Sequence, residues 1–157
     1  MYNYYIMKKT RQHGLLLFSL VLLPLYFLVQ PSMEYMRYFM GVFFILVAAL
    51  KMLDWKGFIY AFSMYDIVAK QVKGYATVYP LIELLLGVGY LIAWQIPVLA
   101  GITLVLMVVG ITGVAQNLLS KNPVQCACLG TRIKIPLTKI TLAEDIIMGL
   151  MAAKILL

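Results

Sequence analysis

The chain alternates long apolar segments with short polar connectors, a pattern that predicts membrane-spanning helices. Five apolar segments stand out, at residues 15–29, 38–53, 76–94, 96–119 and 140–157. A spanning helix needs about 20 mostly apolar residues, with a range of about 17–25. The segment 96–119 meets this length easily, whereas 15–29 is short and contains Pro24. The pattern predicts an all-α polytopic membrane bundle of four or five transmembrane helices.

The first apolar segment allows two interpretations. It follows Lys8, Lys9 and Arg11, and it is short enough to be the apolar core of a signal peptide. Residues 30–34 form a poor cleavage site, because they lack the small-x-small pattern. We therefore expect residues 1–34 to hold a basic tail and a retained first helix. Residues 35–157 would form a four-helix membrane domain with a cysteine-containing loop at 120–139.

Composition supports a membrane protein over a soluble enzyme. Of the 157 residues, 64% are hydrophobic and only 12% are charged, with a mean hydropathy of +0.94. Soluble proteins have about 25% charged residues, and a soluble chain this apolar would expose patches prone to aggregation. The length predicts one compact domain without a separate catalytic domain.

The distribution of charge predicts an orientation. With five spans, all of the 13 basic residues except Arg37 and Lys154 fall on one side. By the positive-inside rule that side is cytoplasmic, which suits a bacterial inner-membrane protein whose N-terminus and cysteine loop face the cytoplasm. The basic residues behind the net charge of +7 would contact the headgroups of anionic lipids. The basic residues form no continuous patch, so we do not expect nucleic-acid binding.

Cys126 and Cys128 are the only cysteines, and their spacing leaves three interpretations open. A disulfide across one residue closes a tight, strained ring, and strained disulfides are easily reduced, as a redox pair requires. The same thiolates could bind a soft cation such as Cu(I), Hg(II) or Zn(II), although a structural zinc site needs four ligands. The third interpretation is two inert small residues in a turn.

Acidic residues inside apolar segments are the next candidates. Glu83 lies well within the third segment, where a carboxylate normally faces the bundle interior with a partner or in its neutral form. Glu144 and Asp145 lie about one turn into the last segment. They could relay protons, or they could be helix N-terminal carboxylates stabilised by the macrodipole after Thr141 as the cap.

Other residues have simpler explanations. Lys51 could extend its ammonium group to the headgroups. His13 is the sole histidine, which excludes a histidine-based catalytic triad. Gly87, Gly110 and Gly113 would allow close helix contacts, or they reflect the frequency of glycine in membrane helices.

The order of these features resembles the MauE/DoxX family of redox-associated membrane proteins. Residues 37–54 with Tyr65-Asp66 resemble its first helix and connector, and residues 80–87 with Glu83 resemble its second helix. Residues 126–130 resemble its Cys-x-Cys-Phe-Gly loop, with Leu129 in place of phenylalanine. The closest form often carries an N-terminal heavy-metal-associated domain, which we do not see in this sequence.

The resemblance implies a four-helix bundle with a role in disulfide formation or maturation of a periplasmic enzyme. The charge distribution places this loop on the reducing side, where disulfides are normally transient. We expect a membrane thiol-redox protein in which Cys126, Cys128, Glu83 and Asp145 are catalytic and the partner is thioredoxin-like. The alternative is soft-metal transport or delivery through Cys126 and Cys128 with a metal-binding partner. A third interpretation is an assembly subunit; a quinone-sized cleft near the loop would favour the redox role.

The orientation is testable with a thiol reagent that cannot cross membranes. Added to intact spheroplasts, the reagent should leave Cys126 and Cys128 unmodified, because the positive-inside rule places the loop in the cytoplasm. The same reagent should modify both cysteines after the membrane is permeabilised. Modification in intact spheroplasts would show that the loop faces the periplasm.

Overall fold

The computed structural model describes residues 25, 26, 29, 32–72, 74–119 and 139–157. Within these ranges the regular secondary structure is entirely helical, which confirms the all-α prediction. We number the six helices in chain order: α1 (Met33–Leu53), α2 (Trp55–Tyr65), α3 (Ile67–Gln71), α4 (Tyr75–Leu91), α5 (Ile96–Leu119) and α6 (Lys139–Leu156).

The four long helices follow the apolar segments of the sequence. The helix α5 has the predicted bounds, and α4 and α6 differ from their segments by a few residues at either end. The helix α1 begins five residues before its segment, and Arg37 lies on its first turns. Of the segment 15–29, residues 25, 26 and 29 are described, and all three are helical. The remainder of that expected first helix lies outside the described residues.

The described helices have the length and surface of a membrane protein. Both α1 and α5 are long and apolar enough to span a bilayer, and α4 is apolar over 17 residues. Large apolar side chains cover the outside of the bundle, among them Leu46, Leu85 and Val105, each more than half exposed. In water such a surface would aggregate, whereas hydrocarbon solvates it. The chain is an all-α membrane protein.

The helices α1 and α4 form an antiparallel pair whose backbones touch. Gly41 and Gly87 face each other at the crossing: a Cβ atom on Gly87 would lie 2.9 Å from the carbonyl oxygen of Gly41. At one end of the pair, Arg37 Nη1 donates to the carbonyl oxygens of Tyr90 (2.6 Å) and Leu91 (2.9 Å). Both carbonyls lie at the end of α4, where helical hydrogen bonding runs out, and that of Tyr90 also accepts a long bond of 3.4 Å from the N–H group of Ala93. The guanidinium group therefore supplies the partners that the helix end lacks.

The helices α5 and α6 form a second antiparallel pair. Gly110 lies opposite Asp145, and Gly149 lies opposite Met107, so small residues again bring the two helices together. A hydrogen bond of 3.0 Å between the hydroxyl groups of Tyr90 and Thr103 joins this pair to the first. The buried core between the pairs contains several methionines, whose flexible side chains fill irregular gaps: Met36, Met40, Met107, Met148 and Met151.

The connector between α1 and α4 folds into two short helices that close one end of the bundle. Asp54 and Asp66 cap them by accepting hydrogen bonds from the N–H groups of Gly57 (3.2 Å) and Ala69 (2.8 Å). Gly113 of α5 packs against the carbonyl oxygen of Tyr65, at a point where a Cβ atom would lie only 2.9 Å away. Burial raises the pKa of Asp66 above its usual value, and the hydrogen bonds that its carboxylate accepts from backbone N–H groups oppose this shift.

The antiparallel order brings three parts of the chain to the same end of the bundle, which we call the connector end. These parts are the connector itself, the last residue of α5 at Leu119 and the first residue of α6 at Lys139. The cysteine loop runs between the last two. Both of its boundaries therefore lie at the connector end.

The helix crossing at Gly87 predicts a position-specific effect of an added methyl group. Gly87→Ala would place Cβ against backbone atoms of Gly41 and Ile45, and such overpacking costs about 1–3 kcal/mol. Gly101→Ala is the matched control, because nothing lies within 4 Å of its Cβ position. Thermal unfolding in detergent, followed by helical circular dichroism, should show a lower midpoint for Gly87→Ala only. Equal midpoints for the two variants would mean that the crossing is not tight.

Candidate functional site: a buried lysine–carboxylate cluster

The structure brings two of the four predicted catalytic residues together in one cavity. Glu83 of α4 and Asp145 of α6 line this cavity, and so do Lys51 of α1 and Glu144 of α6. We call these four residues the acid–lysine cluster. Cys126 and Cys128, which are also the ligands of the alternative metal site, lie outside the described residues.

The centre of the cluster is an ion pair between Lys51 and Glu83. Lys51 Nζ lies 2.5 Å from Glu83 Oε1, and the two side chains are only 6% and 4% exposed. The expectation that Lys51 extends to the headgroups is therefore wrong. The ammonium group points into the bundle because a carboxylate there offers it a partner, which lowers the free energy of burying both charges.

Aromatic rings surround the ammonium group of Lys51. Its Nζ atom lies 4.9 Å from the ring centroid of Tyr79 and 5.5 Å from that of Phe58, distances at which the ring quadrupole attracts a cation. Phe62 packs against both rings, with a centroid distance of 4.6 Å to Tyr79 and 5.0 Å to Phe58. The rings exclude lipid and water from one side of the ion pair, and they come from the connector helix α2 and from α4.

The pairing of Glu83 is incomplete. Its second oxygen, Oε2, is buried and has no hydrogen-bond partner within the described ranges. An unpaired buried carboxylate oxygen costs about 1–3 kcal/mol or more, so such an atom is expected to have a function or an unseen partner such as water. Glu83 is also one of the residues that line the cavity.

Glu144 and Asp145 face the cavity from the second turn of α6. This helix begins at Lys139, so both residues lie beyond its first turn, and Thr141 lies inside the helix rather than before it. The stabilisation of a carboxylate by a helix dipole fades within one turn. Burial of Glu144, only 5% exposed, is also unlike a surface carboxylate at a helix start. The helix-terminus explanation is therefore wrong for this pair.

The cavity has a volume of about 60 Å³ and lies between the two helix pairs. This volume holds a few water molecules. Among the residues that the structure describes, no group of three His, Cys, Asp or Glu side chains could hold a metal ion. The cavity is suited to water and protons.

Sequence reasoning missed Lys51 and undervalued Glu144. Both lie near the end of an apolar segment, where a charged residue is ordinarily explained by contact with the headgroups or with a helix end. One signal was available: Lys51 and Glu83 are opposite charges in two apolar segments that a short connector makes antiparallel neighbours. Such charges usually pair within a bundle.

The ion pair predicts a specific pattern of stability changes. Lys51→Met removes the cation and leaves Glu83 buried without it, which should lower the free energy of unfolding by about 3 kcal/mol. Adding Glu83→Gln to Lys51→Met should recover part of this loss, because the unpaired charge is gone. Lys56→Met, at an exposed position of α2, should be close to neutral. Denaturant unfolding in detergent measures these proteins together with the single variant Glu83→Gln, and purely additive effects of the two substitutions would exclude the pairing.

A comparison with known protein families shows to which family this chain belongs. The profile of the family described as methylamine utilisation protein MauE matches residues 15–157, so the match includes every described helix and the cysteine loop. Neither the curated proteins nor the solved structures give a significant match. Because the match covers most of the chain, this membrane protein belongs to the MauE family.

Proposed function

We propose that this chain is a membrane thiol-redox protein whose Cys126–Cys128 pair exchanges electrons with a thioredoxin-like partner. The observation that carries the proposal is the position of the acid–lysine cluster relative to the ends of the cysteine loop. Glu144 and Asp145 follow the start of α6 by five and six residues, which corresponds to about 8 Å along the helix axis. A proton-handling group thus lies beneath the boundary of the loop that carries the only two thiols.

The exchange balances without a further reactant. A thiolate of the partner attacks one sulfur of the Cys126–Cys128 disulfide, which breaks that bond and forms a mixed disulfide. The second partner thiolate then attacks the mixed disulfide, so the partner leaves oxidised and the pair is reduced. Two electrons pass from the partner to the pair, and the two protons that the partner thiols lose match the two that the pair gains.

Proton transfer is the step to which the described residues contribute. Each attacking thiol must lose its proton, and each leaving sulfur must gain one. We assign this exchange to Glu83 and Asp145, which line one cavity and are shielded from lipid by the bundle. Lys51 holds Glu83 in place and balances its charge.

Membership of the MauE family supports a link to redox chemistry or protein maturation, because the family is described by its role in methylamine utilisation. The loop orientation that we propose, toward the cytoplasm of a bacterial inner membrane, would supply a reducing partner there. The soft-metal alternative uses the same two thiolates, so one experiment can separate the two functions.

A trapping experiment tests the redox proposal. Because the exchange is reversible, the lone thiolate of Cys128 in Cys126→Ser can attack the disulfide of an oxidised partner. The mixed disulfide should accumulate, because the second thiolate of the pair, which would release the partner, is missing. On a non-reducing gel this species should be absent from the double variant Cys126→Ser/Cys128→Ser and should disappear after reduction. Failure of both single variants to trap a partner, together with stoichiometric Cu(I) or Hg(II) binding that each single variant loses, would overturn the redox proposal in favour of metal handling.

A further inference from the structure

We propose that the cavity of the acid–lysine cluster is a hydrated proton-binding site, in which water joins Glu83 to Glu144 and Asp145 and the last two residues hold the protons. This site does not depend on the cysteine chemistry proposed above. It follows from the volume of the cavity, the polar atoms that face it and the balance of charge among them.

The cavity satisfies the conditions for holding water. One water molecule needs a cavity of about 10–15 Å³ and two to four polar partners. The volume here is about 60 Å³, and Glu83, Glu144 and Asp145 all line it. The Oε2 atom of Glu83 is a buried acceptor that has no hydrogen-bond partner among the described residues. A water molecule that reached this atom would provide the missing hydrogen bond.

The balance of charge requires protons. The titratable side chains that line the cavity from each element are Lys51 from α1, Tyr65 from α2, Tyr79 and Glu83 from α4, and Glu144 and Asp145 from α6. The residues of α5 that line it are apolar or glycine. One ammonium group therefore faces three carboxyl groups. Leaving two negative charges uncompensated in a bundle interior costs several kcal/mol for each ion, and neutralisation by a proton avoids that cost.

The geometry also decides which carboxyl groups hold the protons. Glu83 has its counter-ion, since Lys51 Nζ bonds directly to Oε1, so Glu83 is the ionised member. Glu144 is almost fully buried, and Asp145 packs against Gly110 on the neighbouring helix. Glu144 and Asp145 therefore carry the exchangeable protons, and Lys51 is a positioning residue for Glu83.

Infrared spectroscopy of the full chain in lipid vesicles tests this site directly. A protonated carboxylic acid has a C=O stretching band that is separate from the carboxylate bands. The wild-type protein should show this band near neutral pH, and the band should shift on transfer to D₂O because water reaches the site. Glu144→Gln should reduce the band by roughly half, because one of the two protonated acids is lost. Glu34→Gln, at an exposed position of α1, should leave it unchanged.

Two further variants identify the residues. Lys51→Met should increase the band, because Glu83 without its cation takes up a proton. Cys126→Ser/Cys128→Ser should keep the wild-type band, so the test does not depend on the redox proposal. No band in the wild-type protein, a band that does not exchange with deuterium, or a band unaffected by both Glu144→Gln and Asp145→Asn would each overturn the proposal. The first two outcomes need no variant and hold even if a variant fails to fold.

Discussion

The burial of a lysine beside a glutamate, inside a bundle solvated by hydrocarbon, is the constraint on which the other features depend. Neither Lys51 nor Glu83 could be buried alone, because the desolvation of an isolated ion costs several kcal/mol. The two side chains come from different helices, so the pair forms only when α1 and α4 lie antiparallel in one register. The backbone contact between Gly41 and Gly87 provides that register, and Arg37 secures the opposite end of the same pair.

The rest of the bundle shields and adjusts this pair. The connector helices supply aromatic rings that surround the ammonium group, and the caps at Asp54 and Asp66 hold these short helices in place. The pair of α5 and α6 closes the other side of the cavity and adds two more carboxyl groups. One cation and three acids around a small cavity fit the proton-binding role that we propose, whereas simple stability would favour an apolar core.

Membership of the MauE family supports the redox function that we propose for this chain. Thiol–disulfide exchange moves protons together with electrons, and the ends of the cysteine loop lie at the connector end of the bundle, above the acidic residues of α6. In the function that we propose, the loop and the cluster therefore have different roles. The loop would accept electrons from a partner, while the buried cluster would supply and accept protons away from lipid.

The sequence by itself determined the class of protein and the positions of the long helices. Apolar segments of spanning length and the scarcity of charge were enough for this, because the length of a membrane helix depends on bilayer thickness rather than on its neighbours. The bounds of α5 agree with the prediction at both ends. The sequence also indicated that Glu83 has a partner or a function, because a carboxylate deep in an apolar segment has a high free-energy cost in hydrocarbon.

Only the tertiary structure decided which residue is that partner and what else shares the cavity. Lys51 lies near the end of its apolar segment, where contact with the headgroups is an equally good explanation in sequence. Its direction depends on the position of Glu83, which is 32 residues away. Glu144 looked like a helix-terminal acid until the start of α6 at Lys139 placed it one turn further inside. Each of these roles depends on distances between helices. The pattern of residues along one chain does not give such distances, because they are set by how the helices pack at small residues such as Gly41 and Gly87.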